Sequence, residues 1–158
     1  MTNPWSALLT RLGRRRWFAT VFKPVAPRVD RFLGLVTGGR VFLLTGTGRS
    51  TLLLTTTGRK SGQPRTVPLL YAERGGAYVV VGSNWGGQRH PAWALNLLAE
   101  PEATVLVRGR VRTVRARVMA GDEREAVWTT VMTKLWPGYD DYAERSGRDI
   151  NVFALEPV

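Results

Sequence analysis

The stretch TTTGRKSGQPRTVPLLY, from Thr55 to Tyr71, decides how this chain folds. Leu52–Thr57 before its turn and Thr66–Glu73 after it are β-branched or apolar, the composition of strands. Between them stand Gly58, Gly62 and Pro64, which suit a reversal of the chain, together with Arg59, Lys60 and Arg65. A strand–turn–strand unit this basic is either a solvated loop or a preformed anion site. The backbone N–H groups, the Ser61 hydroxyl and the two cations of Gly58–Gly62 suit an anion-holding concavity. Arginine can also grip a phosphate with two hydrogen bonds, and Arg65 is in reach of the same place.

The same punctuation continues on both sides. Ala77–Ser83 follows the turn Arg74-Gly75-Gly76, and Thr104–Val107 and Val111–Val118 flank Arg108-Gly109-Arg110. In the last of these, Val111, Val114, Ala116 and Val118 interleave with Arg112, Arg115 and Arg117, which predicts a strand with one solvated face. Val41–Leu44 and Ile150–Leu155 add a strand near each end. Two helices interrupt, Pro91–Ala99 and Asp122–Leu135, the latter with Asp122 as N-cap and Glu125 three residues on. About five to seven short strands with one or two helices predict a mainly β fold with α insertions, a small antiparallel barrel of the α+β class. No internal repeat and no βαβ rhythm is present.

Composition bounds the chemistry. The 158 residues suffice for one core. The absence of cysteine excludes disulfides and thiolate chemistry and fits a reducing, cytoplasmic setting. A single histidine, His90, argues against a zinc or non-haem iron site and makes any serine–histidine–aspartate triad depend on that one residue. The net charge of +11 attracts polyanions: nucleic acid, anionic lipid or a phosphorylated small molecule. No nucleic-acid motif accompanies the charge, so the reading is against a nucleic-acid partner.

The chain divides into a basic, aromatic segment, residues 1–40, and the β-rich body, 41–158. In the first part Trp5, Leu8, Leu9 and Leu12 recur at helical spacing, with Arg11, Arg14 and Arg15 elsewhere on the turn, before Pro24 and Pro27 break the pattern. This helix either packs on the body or lies in a membrane interface, for which Trp, Phe, Leu and Arg are the expected mixture. Arg14–Phe18 has a faint likeness to a twin-arginine signal, but Lys23 and Pro24 interrupt the apolar region it needs. No apolar run reaches the ~18 residues of a membrane span.

Two nucleotide motifs fail. Gly46-Thr47-Gly48-Arg49-Ser50-Thr51 lacks a third glycine and a following helix pattern, and Gly58-Arg59-Lys60-Ser61 lacks the earlier glycine of a P-loop. A second cluster stands better: Ser83-Asn84-Trp85-Gly86-Gly87-Gln88-Arg89-His90-Pro91-Ala92-Trp93-Ala94-Leu95-Asn96-Leu97 runs from a strand end through glycines into a helix that Pro91 can start. Its glycines permit close approach to a flat ligand, and Ser83, Asn84 and the first helical amides offer donors. His90 alone reads as a surface or capping residue rather than a catalyst.

In this order, TTTGRKSGQPRTVPL and then S-N-W-G-G-x-x-x-P-x-W-x-x-N-L, with Trp136-Pro137-Gly138-Tyr139-Asp140-Asp141-Tyr142 closing, the chain resembles the deazaflavin-dependent nitroreductase family of actinobacteria, over residues 40–158. The resemblance implies a split β-barrel of the flavin-reductase, FMN-binding-like type and the cofactor F420, an 8-hydroxy-5-deazaflavin. That cofactor is a flat ring carrying a phosphodiester and a tail of glutamates. By resemblance Lys60 and Arg65, helped by Arg59, hold phosphate and tail, while Pro68, Val81, Ser83, Asn84, Gly86, Ala92, Trp93 and Asn96 line ring and linker. Tyr139 and Tyr142 match tyrosines on the substrate side, and Trp136 stands where at least one relative has tyrosine, which speaks against nitroimidazole reduction. Several relatives carry lysine where this chain has Asn84 and glycine where it has Trp85.

The implied reaction is hydride transfer from the reduced deazaflavin to a quinone, an activated alkene or a nitroaromatic. The cofactor carries the hard step, which accounts for the absence of a visible triad or carboxylate pair. A phenol such as Tyr139 could give a proton or hydrogen bond to the acceptor. Two alternatives remain open at this stage: the same barrel binding FMN, and a non-enzymatic carrier of lipid or fatty acid. Peripheral association of the first segment with the inner, anionic face of the membrane is a further expectation, through Trp5, Trp17, Phe18 and Phe22 with Arg11, Arg14, Arg15 and Arg16 at the head groups. Oligomeric state is left open.

Overall fold

A computed structural model describes residues 16–42 and 50–158. Two helices come first, α1 (Arg16–Phe22) and α2 (Ala26–Val36). The body then runs β1 (Thr51–Thr57), β2 (Pro64–Leu70), β3 (Ala72–Arg74) and β4 (Ala77–Val81). A 3-10 turn over Asn84–Gly86 leads to α3 (Ala92–Ala99), then β5 (Glu102–Val107) and β6 (Arg110–Val118). Helix α4 (Gly121–Val127) continues through a π-helical stretch, Trp128–Met132, into α5 (Thr133–Leu135). Helix α6 (Gly138–Ser146) and β7 (Val152–Pro157) complete the chain.

The strands form one sheet in the order β2-β1-β5-β6-β7-β4-β3, and the neighbouring pairs are antiparallel. β2 and β3 are adjacent in sequence, broken only at Tyr71, yet stand at opposite edges. The chain can join both edges only if the sheet curls toward closure. The expected split-barrel, α+β architecture is therefore what is found.

Curling creates two apolar layers. Leu52, Leu54, Val80, Val105, Val114, Phe153 and Leu155 project to one side, where Trp93, Ala94 and Leu97 of α3 close over them. Val79, Val81, Val152 and Ala154 project to the other side and meet Val127, Trp128, Met132, Tyr139 and Tyr142 of the α4–α6 region. Alternation along each strand assigns the faces, and each fully buried Val, Leu, Phe or Met side chain contributes about 1.5–3 kcal/mol. β1 is buried on both faces, because Gly34 of α2 lets that helix approach Leu53 on the side opposite Leu52 and Leu54.

Several expectations need correction. Val41 and Phe42 are not in a strand, and the remainder of Val41–Leu44 lies outside the described residues. Pro27 does not break a helix but sits in the first turn of α2, where proline's missing N–H costs nothing. Asp122 is not an N-cap: Ala120 holds that position and makes no side-chain cap, and Asp122 stands inside the first turn, where its charge suits the helix dipole. Val111 is 70% exposed, because it shares the outward face with Thr113, Arg115 and Arg117. Gly138–Ser146, given no element by the sequence reading, is a helix closed by left-handed Gly147. The assignments to Trp5, Leu8, Leu9, Leu12, Arg11, Arg14 and Arg15 lie outside the described residues, as do the side chains of Arg16 and Phe18.

Candidate cofactor and acceptor site

The turn after β1 is built by its own backbone. Gly58 N–H donates to the Gln63 carbonyl at 2.8 Å, and the Ser61 and Gly62 amides both donate to the Gly58 carbonyl, at 3.1 and 2.7 Å. A side chain at Gly58 would meet Ser61 Oγ at 2.8 Å and the Gln63 carbonyl at 3.0 Å, so only glycine closes it. The Gln63 amide in turn donates to Ser61 Oγ. The N–H groups of Gly58, Ser61, Gly62 and Gln63 are thus already satisfied within the turn. What the turn presents is cationic side chains: Arg59, Lys60 and Arg65 are all exposed. Among the described residues neither Lys60 nor Arg65 has an ion-pair partner.

Asn96, 3% exposed on α3, ties this turn to the second cluster. Its Oδ1 accepts from the Arg59 backbone amide at 3.2 Å and its Nδ2 donates to Thr56 Oγ1 at 3.0 Å. The side-chain amide is spent on positioning, not offered to a ligand. Its effect is to fix the basic turn against the helix that begins directly after Ser83–Pro91. Ala92 is exposed in the first turn of that helix. Trp93 turns inward against the Phe153 ring, centroids 5.6 Å apart, and Pro68 and Val81 are buried in β2 and at the end of β4.

The Ser83–His90 loop is strained and heavily tethered. Asn84, Trp85 and Gly86 have φ of 47°, 56° and 75°, a left-handed run that the first two residues enter at a cost. Asn84 Nδ2 donates to the Arg89 carbonyl at 2.8 Å and pins the loop on itself. Arg148, not singled out by the sequence reading, is the main tether: its Nε donates to the Gly87 carbonyl at 3.1 Å and its Nη2 to the Gly82 and Ser83 carbonyls at 3.0 and 3.2 Å. Its Nη1 lies 3.1 Å from His90 Nδ1. Arginine only donates, so Nδ1 is the acceptor and His90 is neutral, with its proton on Nε2. Burial and then the Arg148 charge hold His90 below the ordinary imidazole pKa. Lys23, between α1 and α2, reaches the Asn84 carbonyl at 3.4 Å, and burial and then Arg148 lower its pKa.

Beyond this loop lies an aromatic wall. Tyr139 and Tyr142 of α6 are 5% and 4% exposed and meet edge to face, while Tyr139 also lies against Trp128. Half-buried Trp136 donates a hydrogen bond to the Tyr142 phenol, and burial first of all raises that phenol's pKa to about 12. Tyr142 is therefore a neutral donor at any physiological pH. The Arg145 guanidinium lies over its ring, 5.1 Å from the centroid. Arg145 was also missed; nothing but a position one helical turn after Tyr142 pointed to it.

This juxtaposition of a cationic turn, a left-handed glycine loop and a tyrosine wall on a curled antiparallel sheet can be set beside known proteins. Residues 31–157 match the F420H(2)-dependent quinone reductase family. The chain belongs to that family. An F420H(2)-dependent quinone reductase of Mycobacterium tuberculosis is 35% identical over 121 residues, covering 75% of this chain and 81% of the relative. Among solved structures, one of an F420-H2 dependent reductase is 38% identical with a TM-score of 0.62, over 68% of this chain and 95% of that one. Another, described as a domain-swapped dimer, is 36% identical with a TM-score of 0.65, over 82% of this chain and 94% of that one. The protein is thus an oxidoreductase of an F420H2-dependent family, and FMN is not required to explain its site.

Proposed function

We propose that this protein transfers a hydride from reduced F420 to a quinone, with Lys60, Arg65 and Arg59 holding the phosphodiester and glutamate tail. The observation that carries the reading is the Asn96 bridge, which sets exposed cations with no carboxylate partner among the described residues beside the loop suited to a flat ring. The residues fit the group: the turn presents three exposed cations, Arg59, Lys60 and Arg65, to a polyanionic tail. The bound deazaflavin supplies the hydride. Ser83, Asn84, Gly86 and Ala92 face ring and linker, while Pro68, Val81, Trp93 and Asn96 shape the floor beneath. Tyr142 keeps its proton and can hydrogen-bond the acceptor oxygen. Tyr139 and Trp136 wall that side and exclude water.

A competitive fluorescence titration tests this. Oxidised F420 should saturate the protein and FMN should not displace it, because several cations suit a polyanionic tail better than one phosphate. Tight FMN binding with no saturation by the deazaflavin overturns the assignment.

The α1–α2 region favours a membrane-borne acceptor within the same reading. Trp17, Val21, Val25, Val29, Phe32 and Val36 recur every three or four residues and are all exposed, between 36% and 65%. Exposed Arg28 and Arg31 stand beside this apolar stripe. Such a face suits an anionic membrane surface, where a quinone with an apolar tail resides. No helix among the described residues is long and apolar enough to cross a membrane. Cosedimentation with anionic vesicles at low salt should be lost on deletion of residues 1–30; indifference of the full-length protein to such vesicles overturns this refinement. Because Lys23 touches the Asn84 carbonyl, the same truncation should also loosen the cofactor loop.

A further inference from the structure

Arg145 carries a buried feature that the reaction outlined above leaves unused. Its Nε and Nη2 are sealed from solvent and have no hydrogen-bond partner among the described residues. Both atoms point at the left-handed turn: an added side chain at Gly86 would lie 2.9 Å from Nε and 3.1 Å from Nη2, and 3.2 Å from the Tyr142 Cα. The guanidinium plane meanwhile covers the Tyr142 ring. A desolvated cation with two empty donors is costly unless something accepts from them. The Nε/Nη2 edge is also the one that arginine uses to grip an oxygen or a carboxylate in paired fashion.

We infer that Arg145 is the anion-contact residue for the acceptor, meeting the oxygen that becomes negative as the quinone is reduced. The inference rests on the quinone-reductase reading. The quinone gains a hydride, hence two electrons and one hydrogen, while the cofactor is oxidised. One quinone oxygen then carries the negative charge, hydrogen-bonded by the Tyr142 hydroxyl, until a proton from water completes the hydroquinone. A fixed cation beside that oxygen favours the charged product over the neutral quinone, and so acts most strongly where charge develops. The turn at Asn84–Gly86 covers the empty edge in this structure, so acceptor binding requires that turn to give way. Its left-handed backbone stores strain that such a shift would release.

The test uses the full chain saturated with oxidised F420 and two probes: lawsone, a hydroxynaphthoquinone that is an anion at neutral pH, and its neutral methyl ether. The wild-type protein should bind lawsone more tightly than the ether. Arg145→Met should weaken lawsone by about ten- to a hundredfold, the range of a charge-assisted hydrogen bond, while leaving the ether within about twofold. Arg145→Lys should retain part of the preference. Equal loss for both probes, or no loss for either, overturns the role of Arg145, and so does a wild-type protein that does not prefer the anion, whatever the variants' folding. Failure of F420 itself to saturate the wild type is a separate result: it overturns the underlying reading.

Discussion

Asn96→Ala should disconnect the basic turn from the helix that supports it. Two hydrogen bonds go, the 3.0 Å bond to Thr56 Oγ1 and the 3.2 Å bond from the Arg59 amide. At about 0.5–1.5 kcal/mol net for each, the loss is about 1–3 kcal/mol. Thr56 is 1% exposed, so its hydroxyl finds no water in exchange and the cost moves toward the upper end. For a domain of this size a loss near 2 kcal/mol lowers Tm by about 4–8 °C. Urea unfolding and thermal melting measure that part. The functional part is separable through Thr56→Val, which removes the Thr56 hydroxyl but leaves the Arg59 anchor. Both variants should lose stability, whereas only Asn96→Ala should weaken F420 binding in a fluorescence titration. If Asn96→Ala melts normally and binds F420 as the wild type does, the bridge neither stabilises nor positions, and the case built on it collapses.

Other outcomes follow from the same geometry. Lys60→Ala and Arg65→Ala should each weaken F420 binding by about 1–3 kcal/mol, less at high salt because exposed contacts are screened; titrations in low and high salt check this, and unchanged affinity in both restores the solvated-loop reading. Gly86→Ala should destabilise the fold by about 1–3 kcal/mol, since it puts a side chain at φ 75° against Arg145; an unaltered melting curve would contradict that. His90, the sole histidine, should titrate below the ordinary imidazole value of about 6.5 in an NMR pH series on untagged protein. With its folded pKa lowered by burial and Arg148, its contribution is fully present above the unfolded pKa and is lost as pH falls through the folded value. His90→Gln should therefore flatten part of the acid-side loss of stability; a His90 pKa equal to the unfolded value would abolish the effect, and one above it would reverse the sign. The Tyr142 phenol should stay protonated to about pH 12 in an ultraviolet titration compared with Tyr142→Phe.

Most of the sheet and the chemistry of the ligand were legible in the amino-acid order. Alternation and turn residues are local signals, so β1, β4, β5 and β6 were legible from their side chains, and the run from Thr55 to Tyr71 announced its positive charge directly. Proline misled locally, because its meaning depends on position: Pro27 starts α2 where it was read as a breaker. Gly138–Ser146 carries too few apolar residues to advertise a helix, and only packing of Tyr139 and Tyr142 on the second core reveals its face. Tertiary structure alone decided which polar groups are free. In sequence the turn amides looked available to an anion and Asn96 to the ring and linker, yet folding spends the Gly58, Ser61 and Gly62 amides within the turn and Asn96 on Thr56 and Arg59. Conversely Arg148 and Arg145 were unremarkable among 23 basic residues until curling of the sheet brought α6 and the residues after it against the Ser83–His90 loop. A hydrogen bond between residues some sixty positions apart, as between Arg148 and Gly87, has no signature in local composition. It exists because burial of the second core fixes where α6 ends.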